Sequence, residues 1–252
     1  MRSSRGFRAA AAKSTVMAMQ LHNTIAFVTG ANRGIGRALL DALLARGARK
    51  IYAGARDPDA RYGDPRIVPV QLDITDAAQV RAAAKAASDT QLLINNAGVL
   101  ASLSVLTAEP AQLQKDLDVN VHGPLAVVRA FAPHLIANQG AIANVLSVVA
   151  LANMPPVGGY AASKAAAWSI TQALRGELAP KGVRVHAIFP GPVETEMSKD
   201  IQLPKTPAAD VARAILDGIA NDTLDIAPDP MAADALATFL RDPALLARQF
   251  AG

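Results

Sequence analysis

The sequence predicts an α/β fold, a single doubly wound domain with a seven-stranded parallel sheet and helices on both faces. Three observations predict it. Short β-rich runs alternate with longer helical stretches from Thr24 onward. Several of the strand runs are continuously apolar, as expected where helices cover both faces of a strand. No linker, composition shift or internal repeat divides the chain after residue 20. Repeated β-α-β order of this kind builds a parallel sheet.

The expected strands are 24–29, 49–54, 66–72, 91–95, 140–147, 183–189 and 223–227, and the main helices are 36–46, 76–88, 111–137 and 161–179. Thr206 and Pro207 form an N-cap and N1 pair that opens a further helix. Residues 1–20 are rich in Arg, Ala and Ser and contain no acid. They are expected to be a disordered tail, either a targeting segment or a translation start placed too early, with Met17 or Met19 the true first residue. Residues 21–252 are expected to form the domain.

Composition narrows the function. The 252 residues are 51% hydrophobic and 18% charged, enough for a large buried core and too apolar for a disordered chain. No apolar run approaches the roughly 18 residues of a membrane-spanning helix, so no membrane partner is expected and the protein is read as cytoplasmic. The absence of cysteine excludes disulfides, zinc ribbons, iron–sulfur clusters and thiol nucleophiles. His22, His122, His134 and His186 form no ligand-spaced pair, so no metal site is expected. The net charge of +4 belongs to the tail. Without Arg2, Arg5, Arg8 and Lys13, 21 basic residues face 21 acidic ones. A nucleic-acid-binding domain normally carries its own basic face, so no nucleic acid is expected.

The first strand runs into Thr29-Gly30-Ala31-Asn32-Arg33-Gly34-Ile35-Gly36, and a helix follows. Glycines let the chain turn tightly and let a phosphate approach the backbone, while the helix N-terminus offers free N–H groups. Asn95-Asn96-Ala97-Gly98 ends the fourth strand and Asp73 ends the third. Ligands in open parallel sheets bind beyond the carboxyl ends of strands, so these turns belong beside the glycine loop. Taken singly, each is an ordinary turn residue. The group that decides the chemistry is Ser147, Tyr160 and Lys164. Tyr160 and Lys164 stand i, i+4 on one helix face. An ammonium near a phenol is expected to lower the tyrosine pKa from about 10 and make a general acid/base. Ser147, thirteen residues before Tyr160, offers a hydroxyl to a substrate oxygen.

On these residues the sequence resembles the short-chain dehydrogenase/reductase family, from about Thr24 to the C-terminus. The resemblance rests on six motifs in order: Gly30, Gly34 and Gly36; Asn95-Asn96-Ala97-Gly98; Asn120 in Val-Asn-Val-His-Gly; Ser147; Tyr160-Ala-Ala-Ser-Lys164; and Pro190-Gly191-Pro192-Val193-Glu194-Thr195. It implies a Rossmann-type domain and a nicotinamide cofactor held by Gly30, Asn32, Arg33, Gly34, Ile35, Gly36, Arg56, Asp73, Asn96, Ala97, Gly98, Pro190, Gly191, Val193 and Thr195. By the same resemblance Tyr160 exchanges the proton with the substrate oxygen, and Lys164 holds the nicotinamide ribose. Ser147 orients the carbonyl, and Asn120 anchors a water that relays protons from Lys164. Asp73 contacts the adenine, Asn96 the adenosine side and Thr195 the carboxamide. The family forms dimers or tetramers through the helices read here as 111–137 and 161–179.

Charge at the second strand selects the cofactor. An NAD site places an acidic side chain about 20 residues past the glycine loop. By resemblance the selecting position is Ala55, followed by Arg56, and Arg33 stands inside the loop. Two guanidinium groups suit a 2′-phosphate, which predicts NADP(H). Asp57 is the counter-indication, since a shift of two residues brings it to the ribose. Segments 101–108, 151–159 and 194–204 contribute Leu103, Leu106, Leu151, Met154, Val157, Met197 and Leu203 to a mainly apolar substrate region. The expected activity is an NADPH-dependent carbonyl reductase, reversibly an alcohol dehydrogenase, acting on a small uncharged ketone, aldehyde or alcohol. The alternatives are a 3-oxoacyl thioester reductase and a non-catalytic NADP-sensing regulator.

Overall fold

The computed structural model describes residues 19–57 and 61–252. The tail expected over residues 1–20 therefore lies, up to residue 18, outside the described residues. Seven strands form one sheet: β1 (Ile25–Thr29), β2 (Lys50–Ala55), β3 (Ile67–Gln71), β4 (Leu92–Asn95), β5 (Ala141–Val145), β6 (Arg184–Ile188) and β7 (Asp225–Ile226). Their order is β3-β2-β1-β4-β5-β6-β7, and every neighbouring pair is parallel. The direction of winding reverses between β1 and β4, which places a crevice at their carboxyl ends.

Alternation along β1 shows how the sheet divides the core. Ala26 and Val28 face α1 (Gly34–Ala45) and α6 (Ala208–Ala220), which bury Leu39, Leu40, Leu43, Ile215 and Ile219 there. Ile25 and Phe27 face the opposite layer, α2 (Ala77–Ala86) and the helices below, where Val80, Val127 and Phe131 pack. Phe27 meets Phe131 edge-on at 4.8 Å between ring centroids. The inner strands are buried on both faces, hence their unbroken apolar runs. β3 is the edge and is largely exposed, so Pro69 is tolerated in it.

The helix expected over 111–137 is interrupted. It consists of α3 (Pro110–Leu117), a π-helical turn (Asp118–His122) and α4 (Gly123–Ala137). Pro124 supplies the reason: it has no N–H for the carbonyl of Asn120, four residues earlier, and its ring crowds that carbonyl. The turn bulges, and the Asn120 side chain enters the core, 2% exposed. The Thr206–Pro207 expectation also shifts. Pro207 is the N-cap of α6, while Thr206 pairs with Val193 in an isolated parallel bridge. The bridge closes the base of the 194–205 loop.

After α5 (Gly158–Leu178), which starts three residues before the expected position, and β7, the chain ends in α7 (Pro230–Arg241) and α8 (Pro243–Ala251). Both open with a capping aspartate followed by proline. Asp229 accepts the N–H of Ala232 and Asp242 that of Leu245, each at 2.9 Å.

Candidate functional site

The loops that leave β1 to β6 at their carboxyl ends line one cleft of about 2380 Å³. That exceeds the roughly 300–1,000 Å³ of a pocket for one small ligand. Its floor is the turn from β1 into α1. Gly30 and Gly34 adopt φ of +65° and +54°, a region other residues enter at a cost. α1 has no capping side chain and no acid in its first turn, so its leading N–H groups and positive dipole end face the cleft.

The floor is braced from β4. Thr29 Oγ1 accepts the N–H groups of Asn96 and Ala97, both at 3.0 Å. The Asn96 side-chain amide donates to the carbonyls of Thr29 (3.0 Å) and Gly30 (3.1 Å). The residue expected to contact a ligand therefore spends its amide hydrogens on the loop itself. A Cβ at Gly36 would collide with the Gly30 carbonyl and the Asn96 amide, which accounts for that glycine.

At one end of the cleft, exposed Arg33 and Arg56 stand with Ala55 and Asp57. Asp73 lies beside them, its carboxylate accepting the N–H (2.9 Å) and hydroxyl (2.7 Å) of Thr75. Those two bonds hold its pKa below the ordinary carboxylate value, with a smaller contribution from Arg56.

At the other end Ser147, Tyr160 and Lys164 come together. Ser147 lies two residues beyond β5 and caps a short helical turn. Tyr160 and Lys164 occupy the first two turns of α5. The Lys164 ammonium donates to the Val145 carbonyl at 3.0 Å and sits 5.6 Å from the centre of the Tyr160 ring. The expected lowering of the tyrosine pKa is not what this arrangement produces. Burial pushes Tyr160 up, the neighbouring Ser147 hydroxyl pulls it partly back, and the Lys164 ammonium spends its hydrogen bond on the Val145 carbonyl. Burial likewise lowers Lys164, to about 8.

Asn120 lies behind this wall, not in the cleft. Its amide donates to the Val99 carbonyl (2.8 Å) and Ser163 Oγ (3.0 Å), and its Oδ1 accepts the Val99 N–H (3.0 Å). Beside it is a cavity of about 20 Å³, lined by Asn95, Asn120, Asn144 and Lys164 among others. That is the size of one water molecule. Asn95 Oδ1 is buried there without a protein partner.

Of the sequence-derived set, Gly30, Asn32, Arg33, Gly34, Ile35, Arg56, Asp73, Asn96, Ala97, Gly98, Ser147, Tyr160, Lys164, Pro190, Gly191, Val193 and Thr195 line the cleft, while Gly36 and Asn120 support it from behind. The Pro190–Val193 stretch is fixed by Asp229, whose carboxylate accepts the Gly191 N–H at 2.8 Å.

The family model described as short chain dehydrogenase matches residues 24–206. The chain belongs to that family. The chain is 33% identical over 190 residues to a short chain dehydrogenase of Monascus ruber. That match covers 68% of this chain but 63% of the relative, less than two thirds of its length. Among solved structures, it is similar to a short chain dehydrogenase from Burkholderia cenocepacia in complex with NADP. The two are 42% identical with a TM-score of 0.89, over 92% of this chain and 99% of that one. It is also similar to a short chain dehydrogenase/reductase from Burkholderia phymatum in complex with NAD, at 26% identity and a TM-score of 0.80, over 90% and 96% of the chains.

The cleft wall also contains Ile74, Met231 and Phe250, which no sequence motif marks. Ile74 follows Asp73 directly, so it was within reach. Met231 and Phe250 belong to α7 and α8 and arrive only through tertiary packing.

Proposed function

We propose that the protein is an NADPH-dependent carbonyl reductase, reversibly an alcohol dehydrogenase, acting on an uncharged ketone or aldehyde. The observation that carries the reading is the convergence of Ser147, Tyr160 and Lys164 on one wall of a cleft whose floor is an uncapped helix N-terminus. The residues fit a dinucleotide phosphate. The α1 N–H groups suit a pyrophosphate, and Arg33 and Arg56, with no acid at Ala55, suit a 2′-phosphate. The NADP complex of the 42%-identical structure supports the same choice. When bound, the cofactor supplies the hydride.

The chain's own groups supply the rest. Tyr160, which burial keeps protonated at neutral pH, donates that proton to the carbonyl oxygen as the oxygen gains charge. Ser147 donates a hydrogen bond to the same oxygen and orients it. Lys164 would hold the nicotinamide ribose and replenish the proton, and the cavity beside Asn95 and Asn120 has room for one water of such a relay. Asp73 and Asn96 would hold the adenosine half of the cofactor and Thr195 the carboxamide. Leu103, Met154, Val157, Met197 and Leu203 give the substrate an apolar surround. Residues 21–252 carry both sites as one unit. The same reading makes the protein a cytoplasmic homodimer or homotetramer paired through α4 and α5, where exposed Ala162 and Ala165 permit close helix approach. Among the described residues no helix is long and apolar enough to cross a membrane.

The test is NADPH oxidation, followed by absorbance, against a panel of ketones, aldehydes and an acetoacetyl thioester. The expected result is turnover of uncharged carbonyls that drops about 10²–10⁴-fold in Tyr160→Phe. Near-parental turnover in that variant overturns the assignment.

A further inference from the structure

A carboxylate is buried beneath the site and has no part in the chemistry above. Asp116, on α3, is fully buried. Its Oδ1 accepts the N–H of Ala101 at 2.9 Å. Its Oδ2 accepts the N–H of Ser102 at 3.0 Å and the Ser102 hydroxyl. Among the described residues it forms no ion pair. Burying a lone carboxylate is costly, and here three donors from two consecutive residues are what offset it. An asparagine would turn an NH₂ group toward N–H donors on one side or the other, so the acid is required to satisfy all three.

What those bonds hold is the loop that leaves β4. Four residues further along the same run of helix, Asn120 grips both backbone groups of Val99. Asp116 and Asn120 therefore fasten successive stretches of one loop, Val99 and then Ala101–Ser102. The loop in turn fits against α5. The Gly159 N–H donates to the Leu103 carbonyl at 3.2 Å, and a side chain at Gly159 would collide with the Ser102 hydroxyl. Gly159 immediately precedes Tyr160.

We propose that Asp116 is a positioning residue for the reduction: it fixes Ala101 and Ser102, and through them both the substrate-side loop and the first turn of the helix that carries Tyr160. The proposal rests on Tyr160 and Lys164 being the reacting groups. Its charge acts on the same two, the titratable groups of α5 that face it, while the loop presents Ser102 and backbone N–H groups. Asp116 favours the protonated form of each, opposing the downward pull of burial on Lys164 and adding to the upward push on Tyr160.

Two variants test it, Asp116→Asn and Ser102→Ala, each read by hydrogen exchange, by NADPH fluorescence titration and by the pH profile of kcat. In Asp116→Asn, amides 99–106 of the ligand-free protein should exchange about tenfold faster with the sheet unchanged. Its kcat should fall about 10- to 100-fold while the NADPH Kd stays within about twofold. The alkaline limb of its profile should move to lower pH, which a purely structural role would not cause. Ser102→Ala keeps the charge, so it should speed exchange in the same segment and leave the limb in place. Parental exchange and an unmoved limb in Asp116→Asn overturn the proposal; should that variant fail to fold, parental exchange in Ser102→Ala overturns it. The exchange arm needs no substrate. A panel that finds no carbonyl turned over would sink the reductase reading and leave this measurement standing.

Discussion

Lys164 is 5% exposed and held to about 8, against 10.5 for an ordinary lysine, by the loss of water around it. Between those values the unfolded chain binds more protons at this residue than the folded chain, so stability rises with pH across that window. Tyr160, whose pKa is raised, works in the opposite direction only from about pH 10 upward, where an exposed tyrosine would ionise. Lys164→Met should therefore flatten the rise in melting temperature of the ligand-free protein from about pH 8 to 10, measured beside the parent. The arginines decide a separate question. Arg33→Ala or Arg56→Ala should weaken the preference for NADPH by about tenfold each, the scale of one charge-assisted bond. Ala55→Asp with Arg56→Ala should invert it. The measurement is kcat/KM for NADPH against NADH, and a parental value for NADH that equals or exceeds that for NADPH contradicts the reading of β2.

The interrupted helix is where sequence and structure part most clearly. The apolar spacing over 111–137 reads as one helix, and Pro124 gave a warning within it that spacing alone does not weigh. Pro124→Ala restores an N–H for the Asn120 carbonyl and removes the ring that crowds it. Melting temperature should then stay level or rise, while kcat falls about tenfold as Asn120 loses its hold on Val99. Both are checked on one preparation, by calorimetry and by initial rates. The strands and their order of chemistry were legible because five of the seven end in a recognisable turn: Gly30 after β1, Asp73 after β3, Asn96 after β4, Ser147 after β5, Pro190 after β6. What stayed hidden depends on who meets whom. Nothing local says that the Asn96 amide will be spent on Gly30, 66 residues away. Nor does it say that Asp116 will be buried under Ser102, or that Phe250 will reach the cleft from the last helix.

At the scale of the molecule, the faces of α4 and α5 turned away from the sheet are the expected seam between copies. Light scattering at micromolar concentration should give the mass of a dimer or tetramer, and a monomer would contradict the proposal. The sheet order also bears on how the chain folds during synthesis. β1 lies between β2 and β4, and every connection is a crossover, so the first three strands leave the ribosome well before the strand that completes their inner edge. Until β4 arrives, the glycine loop lacks the Thr29–Asn96 brace, and Ser147, Tyr160 and Lys164 are not yet made. Such non-local pairing is slow to form. A dinucleotide therefore has nothing shaped to receive it until β4 has been made, and no complete site until α5 has followed. It protects the finished protein by mass action, but the first three strands must form without that help.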